Sequence, residues 1–393
     1  MLTVTKTYLP PFEEFCDEIR ELWDSRMVTN MGPKHEAFRE ALEGFLGLRS
    51  VSLFANGHLA LEAVLRAFKL PAGGEVITTP FTFVSTVNAI IRCGLVPVFA
   101  DVLPSDGTMD PESARALISP RTVAILPVHV YGNVCDVEAF DALAEESSLP
   151  VIYDAAHAFG AEYRGVSALG FGHASIVSFH ATKVFSTIEG GAVVLGQNVS
   201  ASEVGQKFFD LFSGEKLLVR EGRDVLSGKE RLDSIEQRLD DEKNFGIRGY
   251  EECVMPGGNA KMNEFQAAMG ICNLRHFPEV LERRKVLYDN YRERLRGVEF
   301  LEPRAGVKPN YSYMPVLSGR RDQLYETLKA KGIFARKYFY PLASDFAFCK
   351  GFPGAGNTPV ASSLASRVLC LPLYPELGVE EQDKIIFCIS ENN

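Results

Sequence analysis

Short apolar runs alternate with amphipathic segments through the first two thirds of the chain. One amphipathic segment is VEAFDALAEES at residues 137–147, which carries apolar side chains at helical spacing. The apolar runs, each five or six residues long, are 51–55, 75–80, 96–101, 123–128, 150–155 and 174–179. Short buried strands that alternate with helices predict an α/β fold with a mostly parallel sheet.

The alternating pattern changes in the second half of the chain. Residues 213–243 are charged and poor in aromatics, which predicts an exposed excursion that is partly helical or mobile. Long helices follow, and then a strand at residues 311–317 and a helix that ends at Gly332. A chain of this length exceeds a single core of about 250–300 residues. We therefore expect a large domain over residues 1–250, with the charged insertion, and a smaller C-terminal αβ domain over residues 251–393.

Composition narrows the class of protein. The 393 residues carry a formal net charge of −10 and no long basic run, which argues against binding to nucleic acid or to anionic lipid. The eight cysteines are scattered and form no CxxC pair, so neither a metal site nor a disulfide framework is expected. No signal peptide and no apolar run of about 20 residues is visible, which predicts a cytoplasmic protein without a membrane span.

Ligands of open parallel sheets bind beyond the carboxyl ends of the strands, so the residues there carry the functional prediction. After the first strand, Gly57 and His58 open a helix whose N–H groups and dipole favour an anion. Taken alone, such a start is more often an ordinary turn. After the next strand, Phe83 is placed to stack on a flat ring, although an aromatic residue there usually belongs to the core.

Two further strand ends carry ionisable side chains. Asp154 either caps the next helix or keeps a ring nitrogen protonated, and His157 either contacts the same ligand or is a core histidine. Lys183 either extends to solvent or, with its pKa lowered by burial, acts as a nucleophile. Ser178, in the same segment as Lys183, offers a hydroxyl that can bind phosphate.

Together these parts fit one cofactor. Pyridoxal 5′-phosphate (PLP) requires a lysine for its aldehyde, an acid for its pyridine nitrogen, a phosphate cup and an aromatic face. The order of phosphate cup, aromatic, aspartate and lysine on successive strands is more specific than any single residue. The sequence therefore predicts a PLP site.

The motifs around these residues resemble those of the DegT/StrS-type nucleotide-sugar aminotransferases, which are fold type I PLP-dependent enzymes. The resemblance covers nearly the whole chain and is carried by SFHATKVFSTIEGGAVV, YDAAHAFGAEY, PVHVYGNVCD and NAKMNEFQAAMG. The stretch MVTNMGPKHEAFREAL is most similar to the subgroup that aminates C4 of dTDP-4-keto-6-deoxy-glucose. The resemblance implies a large domain with a mostly parallel central sheet and a smaller C-terminal αβ domain.

The resemblance implies roles for the residues around the cofactor ring. Lys183 matches the Schiff-base lysine, which also acts as the general base, and Asp154 matches the carboxylate that pairs with the pyridine nitrogen. His157 stands where relatives often have Gln, and it is expected to contact the ring or its phenolic oxygen. Phe83 matches the stacking aromatic.

The resemblance also implies a phosphate cup and a dimer. Ser178 and the backbone at Gly57 and His58 match the cup, and Asn244 matches an asparagine that reaches the phosphate in the neighbouring subunit. A homodimer with shared active sites is therefore expected. His58 stands where relatives often have Thr or Ser, which leaves one hydroxyl contact to the phosphate unaccounted for.

Two features concern the sugar side of the site. Tyr338 and Tyr340 lie where relatives shape the sugar pocket, with core packing as the alternative. The stretch 213–243 is longer than in relatives. Three roles are open for it: it covers the neighbouring active site, it contacts the nucleotide, or it is a tolerated surface insertion. We favour the surface insertion.

The expected reaction is transamination of a nucleotide-linked keto sugar with L-glutamate as amino donor and pyridoxamine 5′-phosphate as the intermediate form of the cofactor. The expected substrate is dTDP-4-keto-6-deoxy-D-glucose, which would become dTDP-4-amino-4,6-dideoxy-D-glucose. The alternatives within the family are a 3-aminotransferase for a dTDP-3-keto-6-deoxy-hexose and amination of a UDP- or GDP-linked keto sugar. A sugar dehydratase is disfavoured because some of these have histidine at the position of Lys183. A sensor protein is disfavoured because the sequence shows no DNA-binding module.

Overall fold

The computed structural model describes residues 1–196 and 228–391 of the chain. The helices are α1 (Phe12–Ile19), α2 (Leu22–Ser25), α3 (Pro33–Leu46), α4 (Gly57–Ala67), α5 (Ser85–Arg92), α6 (Pro111–Ala116), α7 (Val137–Ser147), α8 (Gly228–Lys243), α9 (Glu264–Arg294), α10 (Arg321–Ala330), α11 (Pro359–Arg367) and α12 (Val379–Ser390).

The strands are short, as their apolar runs predict. They are β1 (Leu2–Thr3), β2 (Val51–Phe54), β3 (Glu75–Thr78), β4 (Val96–Phe99), β5 (Thr122–Leu126), β6 (Ile152–Asp154), β7 (Glu162–Tyr163), β8 (Val166–Ser167), β9 (Ala174–Ser178), β10 (Gly191–Leu195), β11 (Ile247–Arg248), β12 (Glu252–Cys253), β13 (Glu299–Phe300), β14 (Val307–Lys308), β15 (Met314–Leu317), β16 (Ile333–Phe334) and β17 (Val368–Leu371).

A central sheet positions the site. Its strands form two hydrogen-bonded groups, in the orders β2-β10-β9-β6 and β5-β3-β4. Isolated parallel bridges between β5 and β6 join the two groups into one sheet. Only β10 in this sheet runs antiparallel to its neighbours, β2 and β9. The predicted mostly parallel sheet is therefore confirmed, and the carboxyl ends of six of its strands meet at one edge.

Both faces of this sheet are covered by helices. On β3, Val76 faces one hydrophobic cluster, with Leu61 of α4 and Leu239 of α8, whereas Ile77 faces the other cluster, with Phe38 of α3. None of these side chains is exposed by more than 1%. Burial on both faces explains why the strands appear in the sequence as continuous apolar runs and not as alternating ones.

A smaller lobe follows the 31-residue helix α9. Strands β13, β15 and β17 form an antiparallel sheet, against which α10 and α12 pack through residues such as Leu324, Leu328 and Ile385. The N-terminal strand β1 pairs with β16, so the first residues of the chain belong to this lobe in space. The domain boundary at residue 250 stays a prediction.

The charged stretch 213–243 lies partly outside the described residues. Its last part forms the predicted helix, α8, but the expectation of exposure is wrong for residues 235, 239 and 241–243. Ile235 and Leu239, four residues apart, are buried. Lys243 is only 2% exposed, and its amine is satisfied there because it donates to Ser52 Oγ at 3.0 Å and pairs with Asp240. The apolar positions at this spacing form the face that packs against α4.

None of the helices in residues 1–196 and 228–391 is both long enough and apolar enough to cross a membrane. All eight cysteines lie in this part of the chain and are free thiols.

Candidate active site

The ends of β2 and β9 meet at a point where the backbone itself is close-packed. The helix α4 begins at Gly57, where an added Cβ would lie 2.8 Å from Cβ of Ser178, the last residue of β9. An added Cβ on Gly191 would lie 2.5 Å from the nitrogen of Gly57. Asn56 caps the helix by accepting from the N–H of Leu59 at 2.9 Å. The first-turn N–H groups of α4 are therefore held at the sheet edge beside Ser178.

Asp154 is the last residue of β6 and is 6% exposed. Its Oδ2 accepts from Thr86 Oγ1 at 2.7 Å, and its Oδ1 accepts from the N–H of Ala156 at 3.1 Å. Burial raises the pKa of the Asp154 carboxyl, while these hydrogen bonds and the charges of Lys183 and His58 lower it in part. The carboxyl is thus fixed in orientation and is sensitive to nearby positive charge.

Lys183 lies in the loop that joins β9 to the antiparallel strand β10. The loop is closed by the N–H of Thr187, which donates to the carbonyl of Phe179 at 2.9 Å, and by the hydroxyl of Thr7, which donates to the carbonyl of Ala181 at 2.9 Å. Burial lowers the pKa of Lys183 from 10.5 to about 8, although the charge of Asp154 acts in the opposite direction. A substantial fraction of the amine is therefore neutral near pH 8.

His157 is held in one tautomer. Its Nδ1 accepts from the backbone N–H of Tyr131 at 3.2 Å, so the ring hydrogen of the neutral imidazole is on Nε2. Burial lowers the pKa of His157 well below 6.5, and the charge of Lys183 acts in the same direction. The ring stacks on Phe339, with centroids 5.7 Å apart and planes 3° apart. His157 is therefore a neutral Nε2–H donor with a fixed ring plane.

The loop that supplies the Tyr131 N–H has a left-handed backbone. Tyr131 has a φ of 59° and Gly132 a φ of 90°. An added Cβ on Gly132 would lie 2.2 Å from Oδ1 of Asn310, so this position requires glycine. Asn310 donates to the carbonyls of His157 and Phe159 at 2.7 and 2.9 Å. The His157 segment is thus fixed from the loop that precedes β15.

His58 faces α5. Its Nδ1 lies 2.8 Å from Ser85 Oγ, and its Nε2 lies 3.1 Å from Oε1 of the buried Glu62. The side chain of His58 is about one third exposed, and its charge is close enough to act on the pKa of Asp154. His58 therefore lines the same site as Asp154.

The structure brings most of the predicted site residues together. Those at one edge of the central sheet, close enough to pack or to shift one another's pKa, are Gly57, His58, Asp154, His157, Ser178 and Lys183. Phe83 lies just after β3 with 57% of its surface exposed. Tyr338 borders the site because its carbonyl accepts from the hydroxyl of Tyr131.

Two further predicted residues contact side chains that the prediction does not include. Asn244 follows α8, where its Oδ1 accepts from Lys261 Nζ at 2.9 Å. Tyr340 is 51% exposed and lies under the guanidinium of Arg321, 4.4 Å from the ring centroid. Their assignment to cofactor and sugar stays a prediction.

Three residues of the site are absent from the sequence-based prediction. Ser85 and Thr86 lie two and three residues after Phe83, and polar residues near a strand end and close to a predicted ring-stacking residue are a signal that points to them. Tyr131 acts through its backbone N–H, and no side-chain pattern in the sequence predicts such a contact.

The residues present fit PLP. A lysine with a depressed pKa, a buried carboxyl at a strand end and a tight backbone cradle beside a serine hydroxyl are the groups that the aldehyde, the pyridine nitrogen and the phosphate require. The cradle at Gly57 is closed to any larger residue.

Comparison with known proteins places the chain in one family over almost its whole length. The model of the DegT/DnrJ/EryC1/StrS aminotransferase family matches residues 12–390. A relative from Shigella dysenteriae, named dTDP-4-amino-4,6-dideoxy-D-glucose transaminase, is 38% identical over 99% of this chain and 98% of its own length. A relative of the same name from Escherichia coli is 36% identical over 98% of this chain and 96% of its own length.

The fold agrees with this match. A crystal structure of DesI in the presence of its TDP-sugar product has a TM-score of 0.85 and 30% identity, and covers 99% of this chain and 92% of DesI. The predicted fold type I architecture is confirmed. The chain belongs to the DegT/DnrJ/EryC1/StrS aminotransferase family and is a PLP-dependent sugar aminotransferase.

Proposed function

We propose that the protein transfers the amino group of L-glutamate to C4 of dTDP-4-keto-6-deoxy-D-glucose, which gives dTDP-4-amino-4,6-dideoxy-D-glucose and 2-oxoglutarate. The observation that carries this proposal is the 38% identity, over 99% of the chain, to the Shigella dysenteriae enzyme of that name. The site supports it because its lysine, carboxyl and imidazole supply the groups that transamination requires.

Lys183 is the proposed general base. Bound PLP supplies an aldehyde that joins to amino groups and a pyridinium ring that withdraws negative charge. Lys183 Nζ, in its neutral form, would take the proton from Cα of the amino donor. In the second half of the reaction, the same Nζ delivers a proton to the sugar carbon that gains the amine. A pKa of about 8 suits both transfers because the amine can gain and lose a proton near neutral pH.

Asp154 is proposed to keep the pyridine nitrogen protonated. A carboxylate beside a cationic ring nitrogen raises the pKa of that nitrogen, and the cation in turn lowers the pKa of the carboxyl. Burial raises the pKa of Asp154, and a cationic ring nitrogen beside the carboxyl would oppose that effect. Thr86 and Ala156 hold both carboxyl oxygens, which fixes the direction in which Asp154 faces the ring.

His157 is proposed to donate from Nε2 to the phenolic oxygen of the cofactor. Its Nδ1 is occupied by the Tyr131 N–H, so Nε2–H is the ring group left to donate. The proposed phosphate cup is made by Ser178 and the N–H groups of Gly57 and His58. Phe83 is proposed to stack on the ring.

We further propose that the active unit is a homodimer in which Asn244 reaches the phosphate of the neighbouring subunit. Asn244 lies three residues before β11, the first strand of the hairpin of β11 and β12. This hairpin region exposes large apolar side chains, as an interface with a second copy would require; they are Phe245, Ile247, Tyr250 and Val254. Tyr338 and Tyr340 are proposed to contact the sugar.

The experiment that tests the reaction is an assay of purified protein with PLP, L-glutamate and one sugar nucleotide at a time. We expect equal amounts of 2-oxoglutarate and amino sugar from dTDP-4-keto-6-deoxy-D-glucose, with the amine at C4 by NMR. Faster turnover of the dTDP-3-keto isomer, or of a UDP- or GDP-linked 4-keto sugar, would replace the proposed substrate. Release of ammonia without consumption of glutamate would contradict transamination itself.

A further inference from the structure

His58 has a partner at each of its two ring nitrogens. Nδ1 lies 2.8 Å from Ser85 Oγ, and Nε2 lies 3.1 Å from Glu62 Oε1. The imidazole therefore has no ring nitrogen left over for a phosphate. His58 has no hydroxyl either, so a second hydroxyl contact to the phosphate, beside that of Ser178, would have to come from another residue.

Glu62 fixes the direction of the His58 ring. Its side chain is 3% exposed, and its carboxylate also accepts from Arg66 Nη2 at 2.8 Å and from Arg92 Nε. Burial raises the pKa of Glu62, but the hydrogen bonds from Arg92 and Arg66 outweigh it and hold the pKa below its usual value. An ionised carboxylate only accepts hydrogen bonds, so His58 Nε2 carries a hydrogen.

Ser85 is well placed to supply the missing hydroxyl. Nδ1 is the ring nitrogen nearer to the backbone, so a partner of His58 Nδ1 lies close to the first turn of α4. Ser85 is the first residue of α5, which packs beside α4. The neighbouring Thr86 is bonded to Asp154, so this turn already lines the site.

We propose that Ser85 is a ligand of the cofactor phosphate and that His58, held by Glu62, is the residue that positions it. In the bound state, His58 donates Nδ1–H to Ser85 Oγ, and the Ser85 hydroxyl donates its hydrogen to a phosphate oxygen. The second ring proton of His58 comes from solvent. This inference rests on the proposed phosphate cup at Gly57 and adds a residue to it.

The charges around His58 favour this arrangement once a phosphate dianion is present. Three cations and three carboxyl groups lie in this cluster, so a bound phosphate dianion adds negative charge to a set of groups that is otherwise balanced. These groups lie on α4, α5, β6, α8 and the loop after β9. They are Glu62, Arg66, Arg92, Asp154, Glu242 and Lys183.

The test compares two cofactor forms that differ only in the phosphate. Pyridoxamine 5′-phosphate and pyridoxamine are titrated into cofactor-free protein by calorimetry, since neither forms a bond to Lys183. For Ser85→Ala we expect about tenfold weaker binding of the phosphorylated form, the effect of one hydrogen bond to a charged group. Binding of pyridoxamine should not change. His58→Ala should likewise weaken the binding of pyridoxamine 5′-phosphate and leave the binding of pyridoxamine unchanged, because Ser85 then loses the residue that orients it.

A rescue variant and a control complete the design. Adding His58→Thr to Ser85→Ala places a hydroxyl on α4 and should restore several-fold of the lost affinity for pyridoxamine 5′-phosphate. Ser366→Ala is the matched control. The Ser366 side chain is exposed and donates to the carbonyl of Ser363, so this variant should bind both forms like the wild type.

Three results would overturn the inference: unchanged affinity of Ser85→Ala for pyridoxamine 5′-phosphate, an equal loss for pyridoxamine, or no gain from His58→Thr. These results differ from failure of the proposed function. If the wild-type protein itself bound pyridoxamine 5′-phosphate no more tightly than pyridoxamine, the phosphate cup would be wrong. If the wild type discriminates and Ser85→Ala discriminates equally, only the role of Ser85 is wrong.

Discussion

The protonation of Lys183 sets how fast the enzyme captures its cofactor. Only the neutral amine attacks the PLP aldehyde, and burial lowers the pKa of Lys183 to about 8. Below pH 8, we expect the rate of PLP attachment to cofactor-free protein to rise about tenfold per pH unit, and above pH 8 to level off. Stopped-flow absorbance measures the rate. Borohydride reduction and peptide mass spectrometry should place the adduct on Lys183.

Asp154→Asn tests the direction in which the charge of Asp154 shifts the pKa of Lys183. The negative charge of Asp154 raises the pKa of Lys183, so its removal should lower that pKa and move the midpoint of the rate profile to lower pH. Turnover should also fall to a small fraction of the wild-type value, since a neutral amide does not keep the pyridine nitrogen protonated. Asp383→Asn, at a half-exposed surface position, should leave both quantities unchanged. A midpoint that stays in place or moves upward would contradict the coupling.

His157 is tested by a matched pair of amide substitutions. The side chain of Gln reaches the position of Nε2, whereas that of Asn ends near the position of Nδ1 and keeps only the bond from the Tyr131 N–H. Both remove the ring that stacks on Phe339. We expect turnover at saturating PLP to fall about tenfold for His157→Gln and about a hundredfold for His157→Asn, because only Gln can donate toward the cofactor. Equal turnover of the two variants would show that Nε2–H donation is not used.

At the residue scale, the sequence predicts the side chains that chemistry requires but not the groups that orient them. Lys183 and Asp154 follow apolar runs that end at one sheet edge, so their proximity follows from the parallel topology. The partners of His157 and His58 are a backbone N–H and a carboxylate on the next helical turn. Such contacts depend on loop and helix geometry, which hydrophobic patterning does not specify.

At the scale of elements, the start of α3 depends on a carboxylate from α9. Glu264 is fully buried, and it accepts from the N–H groups of Gly32, Lys34 and His35 at 3.0, 2.8 and 3.3 Å. The N-cap residue Gly32 has no side chain, so Glu264 serves as the cap from a distant part of the sequence.

Removal of this carboxylate should destabilise the large lobe. We expect Glu264→Ala to lower the free energy of unfolding by about 2–3 kcal/mol, the effect of buried N–H groups that lose a charged acceptor, and Glu264→Gln by less. Urea denaturation of the cofactor-free protein measures both. Glu40→Gln, at an exposed position on α3 itself, should stay within about 0.5 kcal/mol of the wild type. A loss for Glu264→Ala no larger than for Glu40→Gln would show that the cap is dispensable.

Most elements follow from the sequence, whereas long-range contacts do not. Helix α7 spans Val137–Ser147, the same residues as the predicted amphipathic segment, and the six apolar runs become β2, β3, β4, β5, β6 and β9. The direction of β10 is not readable from its apolar residues, since a buried strand has the same pattern in either direction. The buried end of α8 was missed because the many charges around Leu239 mask its narrow apolar face.

At the scale of the whole molecule, the two lobes are connected through the site. Tyr131, from the large lobe, bonds to the carbonyl of Tyr338, and Ser312, which precedes β15, donates to the carbonyl of His157 at 2.8 Å. The residues proposed to bind sugar and cofactor are therefore fixed relative to each other within one chain. The contact proposed for Asn244 is instead with the cofactor phosphate of the neighbouring subunit.

Two variants that fail for different reasons test whether the site is shared between subunits. Lys183→Ala lacks the reacting amine, and Asn244→Ala, at limiting PLP, lacks a phosphate contact. If Asn244 serves the neighbouring subunit, a mixed dimer has one site with both changes and one site with neither. Random pairing of equal amounts makes half of the dimers mixed, so about a quarter of all sites are intact.

We therefore expect co-expressed Lys183→Ala and Asn244→Ala chains to form 2-oxoglutarate at about a quarter of the wild-type rate at limiting PLP, well above either variant alone. Separate tags on the two chains allow the mixed dimer to be isolated, where half of the sites should be active. If Asn244 acted at its own chain's site, each mixed dimer would contain one damaged site of each kind, because no site would regain both residues. A rate equal to the mean of the two separate variants would then be observed, and light scattering would show whether a dimer forms at all.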